Sequence, residues 1–129
     1  GDLMKFHHIG IATKDLKSSL EFVQKNFEVL EVSEEIFDEN QNATLQMIKT
    51  KDLNIELVSG KVVEKLIASK ITYYHICYEV EDIYGKIEEF QKNGGAMLVS
   101  SVKPAILFDN RLVAFLMTPL GLVELLNAN

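Results

Sequence analysis

The chain has little of what would tie it to a covalent scaffold, a nucleic acid or a membrane. Its 129 residues hold one cysteine, Cys77, so no disulfide can form within the chain. That fits a reducing cytoplasm. Arg111 is the only arginine, and 13 basic residues stand against 19 acidic ones, for a net charge of −6. A nucleic-acid partner needs clustered cations, and here the lysines are scattered. No apolar run approaches the ~20 residues of a membrane span, and the first residues do not read as a signal peptide. Gly1 before Asp2 reads as a cleavage scar. What remains is an ordinary globular composition, 47% hydrophobic and 25% charged. The length suits one domain, or two fused half-domains, able to bury a core without staples.

What is present in abundance is repetition. Sixty-seven residues separate His8 from His75, Asp15 from Asp82 and Gln24 from Gln91. A second echo, at an offset of 68, matches Ile55-Glu56-Leu57 to Val123-Glu124-Leu125. Each copy therefore supplies one histidine and one glutamate inside an otherwise apolar segment.

The local patterns give the same element order twice. Alternation predicts a strand over 6–12, and Asp15 is an N-cap for a helix with the apolar stripe Leu16, Leu20, Val23 and Phe27. Strands are expected over 28–36, 43–50 and 53–59, with a polar loop at 38–42. The second copy begins with a strand over 71–80, and Asp82 caps a helix carrying Ile83, Ile87 and Phe90. Gly94-Gly95 stops that helix. Three more strands fit 96–102, 111–118 and 122–126, and a loop with Pro104 spans 103–110. The expectation is an α+β domain over 4–129: a βαβββ module at 4–60, a short amphipathic linker at 61–70 and a second βαβββ module at 71–129. Neither module covers its own sheet alone.

Strand parity then sorts the side chains. Glu56 points away from Ile55 and Leu57, Glu124 away from Val123 and Leu125, and His75 away from Ile76. His8 follows the same rule. A glutamate within Leu-Val-Glu-Leu-Leu is costly to bury unless it is paired or metal-bound. Two such carboxylates would repel each other, and a divalent cation removes that objection. The set His8, Glu56, His75 and Glu124 is therefore expected to bind one divalent metal. Mixed nitrogen and oxygen ligation suits nickel, zinc, cobalt, iron or manganese alike. His7 faces the other way and reads as structural, and Cys77 reads as a buried, inert thiol. Arg111, after Asp109-Asn110, is either a substrate-binding anion clamp or a solvated turn residue.

The ordered set of motifs resembles the vicinal oxygen chelate superfamily over nearly the whole chain. The stretches that carry the likeness are His7 to Ala12 with Asp15-Leu16, Ile55-Glu56-Leu57-Val58, Tyr74 to Ile83, and Gly121 to Leu125. Within the superfamily the chain looks like the metal-dependent glyoxalase I and methylmalonyl-CoA epimerase branches, whose metal ligands fall on His8, Glu56, His75 and Glu124. The resemblance implies paired modules whose mixed sheet curls into a cup around the metal. It also implies removal of a proton next to a carbonyl and an enediolate stabilised by the ion. Glu124 or Glu56 would be the base.

The chain also departs from both branches. Thr13-Lys14 stands where glutathione-using glyoxalases carry an arginine. Asn40-Gln41-Asn42 and Met117-Thr118-Pro119 replace segments typical of the epimerases. The leading expectation is a glyoxalase I-like lyase or isomerase acting on a thiol hemithioacetal, with a 2-methylacyl-CoA epimerase second. A ligand-sequestering resistance protein would not need the four ligands, and an extradiol dioxygenase fits a second glutamate poorly. A homodimer is expected, because paired modules leave sheet edges that a partner covers.

Overall fold

The computed structural model describes residues 3–129, so the Gly1-Asp2 scar lies outside the described residues. The elements run β1 (Lys5–Ala12), α1 (Leu16–Asn26), β2 (Val29–Val32), β3 (Ile36–Asp38), β4 (Ala43–Thr50) and β5 (Asn54–Gly60). A short helix, α2 (Glu64–Ala68), follows. The second copy comprises β6 (Tyr73–Val80), α3 (Ile83–Asn93), β7 (Met97–Leu98), β8 (Lys103–Ala105), β9 (Arg111–Thr118) and β10 (Gly121–Asn127). By contacts the chain divides into residues 8–74 and a second unit of residues 75–129 with the segment up to His7. Among the described residues no helix is long and apolar enough to cross a membrane.

In the first unit, β1 and β5 pair in parallel, with Gly10 opposite Glu56, and β4 and β5 pair antiparallel, with Met47 opposite Glu56. Asp15 starts α1 by accepting the amides of Lys17 and Ser18, which offsets donors the helix leaves unbonded. Leu16 and Val23 then pack with Ile48 and Leu57, and Ile11, Leu20 and Ile55 lean against that cluster. Helix α1 thus covers one face of this sheet. Phe27, expected on the stripe, lies past the last turn as the C-cap and is exposed.

The second unit repeats the logic. Strands β6 and β10 are parallel with Glu124 opposite Cys77, and β9 runs antiparallel to β10 with Phe115 opposite Glu124. Asp82 caps α3 through the amide of Gly85, and Asn127 accepts the amide of Ile83. Ile83 and Ile87 pack on Ala114, Leu116, Val123 and Leu125. Gly94 ends the helix at φ 85°, a left-handed value that favours glycine.

Several expectations need correction. The strand expected over 28–36 is two short strands, because residues 33–35 leave the ladder and β3 pairs separately with β4. The loop at 103–110 contains β8, which carries Pro104 against β9, and a 3-10 turn at Ile106–Phe108. A strand that takes part on one side only tolerates the missing proline N–H. Of the strand expected over 96–102, only Met97–Leu98 forms.

The cup-shaped sheet is also overturned. The strands pair in one open order, β2-β4-β5-β1-β6-β10-β9-β7, with β3 added on β4 and β8 on β9. The two ends of that order do not meet, so the sheet is neither closed nor strongly curled. Closure needs edge strands that pair with each other, and here they have four and two residues. Bulges bend sheets, and the register shift among the described pairings falls in edge strand β2, between Val29 and Glu31.

Candidate metal centre

In the first unit the face turned away from α1 carries His8 and Glu56. His8 stands two residues before Gly10, the register partner of Glu56, so both side chains project from the same face of neighbouring strands. The Nε2 of His8 lies 3.5 Å from Oε1 of Glu56. Gly10 contributes no side chain beside Glu56.

The second unit builds the same pair. His75 stands two residues before Cys77, the register partner of Glu124, and Nε2 of His75 lies 3.1 Å from Oε1 of Glu124. Phe115, opposite Glu124, meets the His75 ring edge to face at 5.4 Å, which limits how far the imidazole can turn. All four side chains are at most 2% exposed. Each offers one ligand atom, and these atoms lie within 4.8 Å of one another.

These spacings suit a divalent ion. Ligands about 2.1 Å from a metal stand about 3.0 Å apart across a right angle and about 4.2 Å apart across the ion. The His75–Glu124 separation matches the shorter value, and the His8–Glu56 separation falls between the two. Charge points the same way. Two buried carboxylates need a counter-charge, and the described ion pairs of Arg111 and Lys86 are made with other carboxylates. Arg111 bonds Glu79 through Nη2 and the carbonyl of Asn127 through Nε, and Lys86 meets Glu89 on α3. Two neutral imidazoles and two carboxylates balance one M²⁺. The residues present fit a mononuclear divalent metal.

The remaining candidates divide. Cys77 is fully buried, in a cluster with Ala105, Val113 and Leu126 and with Phe108 against it. His7 is half-buried and meets Phe108 edge on. Arg111 lies on the ligand-bearing face of β9, at the end away from Met117. Phe115 and Glu79 are contributions that sequence reading missed. The 68-residue offset could have found Phe115, since it answers to Met47, the partner of Glu56. A cavity of about 410 Å³ bordered by Tyr78, Phe90, Ala96 and Val123 lies on the helix side of the second unit and holds none of the four ligands.

Comparison with known proteins agrees with this fold. Methylmalonyl-CoA epimerase from Mycobacterium tuberculosis is similar over 97% of this chain and 88% of its own, with TM-score 0.82 and 18% identity. A hypothetical protein from Bacillus halodurans C-125 is similar over 98% of this chain and 95% of its own, with TM-score 0.76 and 24% identity. A further methylmalonyl-CoA epimerase structure gives a TM-score of 0.72 at 16% identity, covering 100% of this chain and 98% of that one. Identities this low show a shared fold. No curated protein matches the sequence significantly. The glyoxalase/bleomycin resistance protein/dioxygenase superfamily model matches residues 7–115, most of the chain. With the ligand pairs duplicated on matching strands, the chain belongs to that superfamily, the vicinal oxygen chelate proteins.

Proposed function

We propose that this protein is a metal-dependent isomerase that moves a proton at the carbon next to a thioester carbonyl, as in a 2-methylacyl-CoA epimerase. The observation that carries the reading is the duplicated buried His–Glu pair. Epimerisation removes a proton from one face of a planar intermediate and returns it on the other. Two carboxylates in equivalent positions of two modules supply a base for each direction. The similarity to two methylmalonyl-CoA epimerases supports the choice of thioester over hemithioacetal. The glyoxalase I-type reaction would use the same carboxylates, but Thr13-Lys14 offers no arginine for a tripeptide carboxylate.

His8, Glu56, His75 and Glu124 would hold the metal. When bound, the ion would polarise the substrate carbonyl and make the adjacent C–H more acidic. Glu124 takes the α-proton at a carboxylate oxygen in this proposal, and Glu56 is the second base. The burial of both keeps water from competing for that proton. Arg111 keeps a substrate-binding role through guanidinium N–H groups beyond the two already bonded to Glu79 and Asn127. The homodimer and the cytoplasmic setting expected from the sequence belong to the same reading.

The test is deuterium exchange at the α-carbon, run over acyl-CoA thioesters and over the methylglyoxal–glutathione hemithioacetal, on protein of measured metal content. Exchange into methylmalonyl-CoA or propionyl-CoA is expected. Exchange confined to the hemithioacetal would transfer the assignment to the glyoxalase I-type reaction.

A further inference from the structure

In the second unit the ligand-bearing face has a closed end and an open end. The closed end is the apolar plug of Cys77, Ala105, Val113 and Leu126 under Phe108. Going the other way along β10, Glu124 is followed by Leu122 on the same face, half-buried, with Met117 directly opposite it and Met97 opposite Met117. Met117 is 46% exposed and Met97 66%. In the first unit the equivalent positions are Asn54, opposite Lys49, and Glu31, opposite Lys49 in turn. There Lys49 and Glu31 form an exposed ion pair at 3.3 Å. The same place in the repeat is charged in one copy and apolar in the other.

A ligand that approaches Glu124 along this face from the open end passes Leu122 and Met117. Solvated methionines at that point carry a hydration cost that an apolar group laid over them would relieve. Their unbranched side chains adapt to what they cover. Leu122 is two residues from Glu124, about 7 Å along the strand, the reach of a short alkyl group.

We propose that Met117, with Leu122 and Met97, is the specificity wall of this site and receives an aliphatic substituent carried by the carbon that gives its proton to Glu124. In the reaction proposed above that substituent is the alkyl branch at the α-carbon of the thioester. That assignment rests on the function proposed above, whereas the wall itself can be tested without it.

Alkyl hydroxamates from aceto- to hexanohydroxamate chelate a metal through two adjacent oxygens and differ only in tail length. Calorimetric titration of these into metal-replete protein should show affinity rising about fourfold per added methylene over the first few carbons. Met117→Lys should flatten that rise with metal content unchanged, and Met117→Leu should restore it. A rise of equal steepness in wild type and Met117→Lys, or none in wild type, overturns the proposal. So does conversion of a dimer to a monomer by Met117→Lys in light scattering, since a second copy would then occupy the wall. A tail-length dependence that Met117→Lys abolishes, in a protein that exchanges no α-proton of any acyl-CoA, would keep the wall and remove the proposed reaction.

Discussion

Glu56 and Glu124 occupy the same place in two copies of one module, yet their surroundings differ. Glu56 is flanked by Gly10 and Met47, with Asn54 and Lys49 further along. Glu124 is flanked by Cys77 and Phe115, with Leu122 and Met117 further along. The ligand pairs were kept in both copies and the neighbours were not. A metal constrains four atoms and is indifferent to what lines the approach, so duplicated ligands are compatible with unequal bases and an asymmetric entrance.

The comparison breaks most visibly at the glutamates themselves. Glu124→Gln is expected to retain metal through its amide oxygen and to lose on the order of 10²–10⁴ in α-proton exchange, because an amide accepts no proton. Glu56→Gln should lose less. Exchange measured on metal-replete variants decides it, and the reverse order would make Glu56 the principal base. Metal binding should, by contrast, be shared. We expect about one divalent ion per chain and a sharp drop in that ratio for His8→Ala and His75→Ala alike. Full metal retention in either variant would detach that module from the centre.

Smaller effects probe the scaffold. Leu57 and Leu125 are buried under their respective helices, so alanine at either should cost about 2–5 kcal/mol in denaturant unfolding. The caps should separate the modules. Asp15 accepts two amides and Asp82 one, while Asn127 also holds the start of α3. Asp15→Ala should therefore cost more than Asp82→Ala, within the ~0.5–2 kcal/mol usual for a cap. Equal losses would mean the Asn127 contact adds nothing. The smallest effect is expected at Cys77, where serine should leave metal content unchanged, since nitrogen and oxygen donors already complete the set.

Much of this was legible from residue order because it depends on short periods. Helices α1 and α3 announce themselves by Asp15 and Asp82 and by their apolar stripes. The ligand-bearing faces follow from strand parity around Glu56 and Glu124. What was hidden depends on pairing between distant residues. Glu79 meets Arg111 because β6 and β9 both flank β10, and no local pattern marks that. The strand at Lys103–Ala105 was masked by Pro104, which local rules assign to a loop. The path of the sheet depends on how edge strands end, and Met97–Leu98 is too short to give a periodic signal.

Those edges carry a consequence for behaviour at high concentration. Beside β2, Glu31 meets Lys49 and Glu28 meets Lys51, so a second strand aligning there would have to strip water from fixed charges. Beside β7 the chain shows Met97 and Val99 to solvent instead, and nothing charged in that pair would resist an approaching backbone. Crowding or partial unfolding should therefore make this protein self-adhere from the β7 side first, and a lysine placed at Val99 would be the economical way to keep it in solution.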